Sequence, residues 1–110
     1  MAYLRATEEV LNDTYNPIGV VAHTKITVGS TTTVALQANP KRKYAILIND
    51  SDAPIYVNLG AEAKINEGIR INANGGSFEM SANIGNLYLG AINAVSGTGN
   101  MTLLVTEGEE

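Results

Sequence analysis

The chain has 110 residues, a formal net charge of -4 and only 16% charged residues, so no field is strong enough to draw a polyanion such as DNA to its surface. It has no cysteine, which removes disulfides, thiolate metal sites and thiol catalysis together and is compatible with assembly in a reducing cytoplasm. The length suits one domain with one core, and an apolar fraction carried by Ile, Val, Leu and Ala, with one Phe, no Trp and five Tyr, favours thin β layers over a helical core.

Residues 1–24 differ in kind from the rest. Met1 to Glu9 place acids where a secretory leader needs an apolar stretch, so no Sec-type export is expected. Thr7, followed by Glu8-Glu9 and Val10-Leu11, fits the cap of a short helix that Asn16-Pro17 and Gly19 stop early. Two readings stand side by side. One is an arm that docks on a neighbour through Tyr3, Leu4, Val10, Leu11 and Tyr15, and the other is a short strand or helix that closes the domain's own core. No apolar run anywhere approaches the ~20 residues that span a bilayer, so no membrane partner is expected.

Residues 25–108 are predicted as a single β domain of about eight short strands separated by turn residues at even intervals. Ile26 and Val28 share a face of the first run, Gly29-Ser30 supplies a turn, and Thr31 to Gln37 follows; these two runs are expected to pair. Asn39-Pro40 breaks the ladder. Lys43 to Asn49 is almost continuously apolar, which places it centrally in a sheet or in a subunit contact. After the turn Asp50 to Pro54, Ile55, Val57 and Leu59 alternate with Tyr56 and Asn58, suggesting a hairpin with the preceding strand. Ala61 to Lys64 reads as a loop, since one helical turn is marginal without support. Ile69 and Ile71, the positive-φ pair Asn74-Gly75, and Phe78 and Met80 read as the clearest hairpin in the chain. Leu87, Leu89 and Ala91 share a face of the next run, and Ser96 to Asn100 turns into Met101 to Thr106. Glu107 to Glu110 reads as a solvated acidic tail.

Reaction chemistry is sparse. His23 is the single histidine, so no two-histidine metal site forms within one chain, and beside Val20-Val21-Ala22 it reads as a partly buried or interface side chain rather than a general base. No serine sits in a G-x-S-x-G elbow. Asp50 and Asp52 offer two carboxylates but lack the further oxygens of a calcium loop, and read as an Asx-type turn. Lys41-Arg42-Lys43 is the only basic cluster, and its place between Pro40 and an apolar strand marks the solvated end of a loop, with Lys41 and Arg42 available to an acidic neighbour. Gly75-Gly76 and Gly97-Thr98-Gly99 lack the lysine and following helix of a phosphate loop. Tyr44, Tyr56 and Tyr88 fall in three different predicted strands, where packing or interface use outweighs stacking on bases. No catalytic residue, cofactor or metal site is expected.

The stretches Thr33 to Asp52, Ile55 to Gly60, Gly68 to Glu79 and Leu103 to Gly108 resemble small structural proteins of tailed bacteriophages, over roughly residues 31–108. The matching words follow strand ends and turns and contain no catalytic signature. The strand pattern is that of a sandwich or barrel, and the fold expected is an all-β, single-domain antiparallel β-sandwich, jelly-roll-like, with an N-terminal arm that falls outside the match. The resemblance implies a non-enzymatic virion component, best fitted by a head decoration or cement protein on the capsid exterior, assembled in the host bacterial cytoplasm. The expected partners are the major capsid protein and further copies of the chain, as a homotrimer suited to local threefold positions. A neck, tail or fibre-base adaptor, and a carbohydrate-binding module with Tyr56 or Tyr88 as its platform, are the alternatives.

Overall fold

Alternation of apolar and polar residues is realised as eight strands in a computed structural model that describes residues 17–110. They are β1 (Val20–Val28), β2 (Thr33–Leu36), β3 (Arg42–Asn49), β4 (Ile55–Leu59), β5 (Ile69–Ile71), β6 (Ser77–Ser81), β7 (Ile92–Ser96) and β8 (Met101–Glu109). They form two four-stranded antiparallel sheets: sheet A in the order β1-β8-β3-β6 and sheet B in the order β2-β7-β4-β5. That strand order is the jelly roll, two interlocked Greek keys closed face to face. The expected fold class and the expected number of strands are both found. No helix occurs among the described residues, and none is long and apolar enough to cross a membrane.

The core lies between the sheets. Ala45, Leu47, Met80, Leu103 and Val105 of sheet A pack with Ile55, Val57, Ile71, Ile92 and Ala94 of sheet B. Each fully buried Val, Leu, Ile or Met side chain there contributes roughly 1.5–3 kcal/mol relative to exposure. Asn49 is buried on the inner face of β3, and its Nδ2 donates to Ala53 O at 2.8 Å and Ile71 O at 3.1 Å, which ties sheet A to sheet B; its Oδ1 has no partner.

Strand partners differ from those expected. β1 pairs with β8 and β2 with β7, so the turn at Gly29-Ser30 carries the chain from one sheet to the other. β3 and β4 likewise lie in opposite sheets, as do β5 and β6. The residues at Asn74 (φ 60°) and Gly75 (φ 100°) have the expected left-handed backbone. Their amides, however, donate to Ser51 O and Asn49 O, so the turn docks on the end of β3 and rounds a corner between sheets. Of the consecutive strands, β4 and β5 alone pair. Turn residues specify a reversal, not which sheet receives the returning chain.

Three boundaries also move. β1 begins at Val20, five residues before the Lys25 boundary drawn from the sequence. Leu87 to Ala91 is not a strand: the Tyr88 and Gly90 carbonyls accept from Arg42 and the Leu89 carbonyl from Asn39 N, which withdraws them from any ladder, and β7 starts at Ile92. The acidic C-terminus is not a solvated tail, because β8 continues to Glu109 and is paired on both sides.

Candidate functional site

β3 is central in sheet A, and its inner face is fully buried while Tyr44, Ile46 and Ile48 point to the outer face and stay half-buried. Register assembles that outer face into three rows across the sheet. Lys25, Leu104, Ile48 and Ser77 form one; His23, Thr106, Ile46 and Glu79 the next; Val21, Gly108, Tyr44 and Ser81 the third. Apolar groups run down its middle, and Leu104 is 36% and Val21 50% exposed. A hollow of about 380 Å³ opens here, lined by His23, Thr24, Lys25, Ile48, Leu104, Val105 and Thr106. Its floor is aliphatic and its rim carries an imidazole, an ammonium and a hydroxyl. The imidazole is fixed by Nδ1, which lies 2.8 Å from Thr106 Oγ1. At the opposite side of the face the Tyr44 hydroxyl donates to Glu79 Oε2 at 2.6 Å, and this bond, with burial and the Glu79 charge behind it, raises the phenol above its ordinary pKa.

Of the interaction residues expected from the sequence, only Lys41 and Arg42 fall among the described residues. Tyr3, Leu4, Val10, Leu11 and Tyr15 lie outside the described residues. Lys41 is exposed on the turn before β3, where its amide donates to Asn39 Oδ1 at 3.0 Å. Arg42 is not available to a neighbour, and that expectation is corrected: it is 2% exposed, with Nε donating to Glu107 Oε2 at 2.7 Å, Nη2 to Gln37 O at 2.6 Å and Nη1 to the Tyr88 and Gly90 carbonyls. It clasps the end of β2, the segment before β7 and the end of β8 into one unit. The carbohydrate platform loses Tyr56, which is 8% exposed and donates its hydroxyl to Asn66 Oδ1 at 2.8 Å. Tyr88 is half-buried against the core, outside any strand. No group of three or more His, Cys, Asp or Glu side chains suited to a metal ion occurs among the described residues.

The outer-face residues were in part detectable beforehand. The continuous apolar character of β3 signals cover on both faces, and the described residues fully cover only one. Leu104 and Thr106 gave no such sign, since their neighbours on the face come from β1 and β3.

No family model matches the chain, and no curated protein matches it. Among solved structures, it resembles the stem and receptor-binding domain of the spike protein P1 from bacteriophage PM2, with a TM-score of 0.52 and 18% identity over 74% of this chain. The chain spans 31% of that protein's length. An RmlC-like cupin from Shewanella frigidimarina aligns over 82% of this chain and 67% of its own at TM-score 0.44 and 14% identity. A Bacillus endospore appendage protein, from disulfide-linked pili, aligns over 87% and 95% at TM-score 0.38 and 10% identity. The first of these likenesses is one of fold, and it agrees with the sandwich described above.

Proposed function

We propose that this chain is a non-enzymatic structural protein of a phage virion, a decoration or cement protein that docks on the outer surface of the icosahedral head and stabilises it. The carrying observation is the outer face of sheet A, where Ile46, Ile48, Leu104 and Val21 form an aliphatic surface that the monomer leaves partly open to water. Such a patch suits a protein partner better than a reaction. The tailed-phage resemblance over residues 31–108 and the fold likeness to a phage spike domain support the virion setting. The partner in this reading is the major capsid protein, and several copies act together from the capsid exterior after assembly in the host cytoplasm. A protein that binds the assembled shell and not its separated subunits stabilises the shell by mass action, and multivalency multiplies the effect.

Co-sedimentation of the full chain with capsids of its phage tests this. Binding to expanded capsids is expected, and Leu104→Asp should weaken it by at least about tenfold, roughly 1.4 kcal/mol; because the side chain is only 36% exposed in a central strand, a cooperative melt at a lower temperature is expected and shows that the variant still folds. Absence of binding to both expanded and immature capsids would overturn the reading. An adaptor at the neck, tail or fibre base is the second reading, favoured by the likeness to a spike stem, and retention on capsid-free tails would select it.

A further inference from the structure

Two sheets have four free edges, and three of them are blunted. β2 has four residues and a register shift between Val34 and Leu36, and β5 has only three residues. β6 is capped by one side chain: Asn86 Oδ1 accepts from Ser81 N and its Nδ2 donates to Glu79 O, both at 2.9 Å, so the amide occupies the edge as a short strand would. Among the described residues, β1 has none of these devices. Its nine residues pair with β8 in unbroken register, contain no proline, and are exposed on both faces from Val20 to Lys25. A long regular edge is a template for another strand, and natural sheets protect edges that have no such use.

We infer that the free edge of β1 docks β1 of a second copy, the two strands running antiparallel about Thr24 so that two four-stranded sheets join into one of eight. The argument for this occupant is self-complementarity. With a two-fold axis normal to the sheet at Thr24, Val20 faces Val28, Val21 faces Thr27, Ala22 faces Ile26, His23 faces Lys25, and Thr24 faces its own copy. Apolar residues meet apolar or threonine partners, and each lysine meets a histidine rather than another lysine. Val28 is already fully buried within its own chain, so the pairs that build the seam run from Val21 to Thr27; moving the axis to His23 keeps that length but sets Lys25 against Val21, and moving it to Lys25 shortens the overlap and sets two ammonium groups against each other. The pairing brings Lys25 of the second copy beside His23 at the rim of the outer-face hollow, so each hollow gains a wall from its neighbour. A contact of one strand pair is small, which puts the affinity in the weak range. The inference stands apart from the virion reading, because it concerns purified chain with no shell present.

Sedimentation equilibrium of the full chain, from low to high micromolar concentration, provides the test. A monomer–dimer equilibrium is expected. His23→Lys places an ammonium opposite Lys25 on both sides of the central Thr24 pair and should weaken the dimer about two- to thirtyfold, from roughly 0.2–1 kcal/mol per like-charged pair. The double variant His23→Lys with Lys25→Glu should restore it, since each like pair becomes an opposite pair. Thermal melts check that folding is intact, which the exposure of both residues favours. A monomer throughout, a trimer, a dimer indifferent to His23→Lys, or a dimer that the double variant fails to restore overturns the inference. So does a dimer abolished by deleting residues 1–16 yet insensitive to the charge variants.

Discussion

At the scale of the residue, Arg42 shows how completely context sets a role. Its guanidinium reaches four acceptors in one plane, a fork that a lysine ammonium lacks. Arg42→Met keeps much of the volume but leaves a carboxylate and three carbonyls without their donor. The expected loss is about 3 kcal/mol, the lower end for breaking a buried ion pair, because the Glu107 side chain keeps 20% exposure. Urea denaturation should show a lower midpoint at unchanged slope, and Arg42→Lys should recover less than half of the loss. Tyr44 gives a pH prediction. Because the hydrogen bond to Glu79 raises its pKa in the folded state, its contribution to stability is fully present below the ordinary tyrosine value of about 10 and is lost as pH rises through the folded value. Thermal melts between about pH 9 and pH 11 should therefore fall less steeply for Tyr44→Phe than for the parent chain.

At the scale of the element, the corner between β5 and β6 separates local chemistry from tertiary choice. Gly75 has φ 100° and open space where a Cβ would sit, so Gly75→Ala costs only backbone strain, about 1–2 kcal/mol. At Gly76 a Cβ would lie 2.3 Å from Asn72 O, backbone that cannot step aside, so Gly76→Ala should destabilise more. Comparing the two urea midpoints checks the order. The same corner explains the mistaken hairpin. Positive-φ residues between two alternating runs satisfy a tight β-turn and a sheet-crossing corner equally well, and the amides that decide between them donate to Asn49 and Ser51, more than twenty residues earlier in the chain. β3 is the opposite case: its unbroken apolar character reported its central place in a sheet, and its outer face stays half-buried.

At the scale of the whole molecule, the strand after residues 1–16 is held by the far end of the chain. Gly19 N donates to Glu109 O at 2.8 Å, Ile18 packs over Gly108, and β1 then pairs with β8 for its full length. Deleting residues 1–16 should leave a single cooperative melt, whereas a deletion through Val28 should abolish folding, because Val28 is completely buried and β8 would lose its partner. Binding to capsids is expected to fall on the shorter deletion if the arm docks on a neighbour. Truncation after Thr106 makes the complementary case. Removing Glu107 takes away the carboxylate that holds Arg42, so that variant should lose stability where a solvated tail would lose none.

Sequence by itself determined the class and the punctuation of this protein: β rather than helical, about eight strands, turns at Gly29, Asp50, Asn74 and Ser96, and a chain poor in groups that do chemistry. Those properties are local, since alternation and left-handed backbone are written within a few neighbouring residues. Only the tertiary structure decided which strands pair, that Arg42 is a clasp and not a docking group, and that an aliphatic hollow bounded by His23 and Lys25 lies on the edge strand β1 and its neighbour β8. Arg42 meets Glu107 65 positions away and His23 meets Thr106 83 positions away. Contacts at such separation depend on how two sheets close on each other, and no short stretch of sequence carries that information.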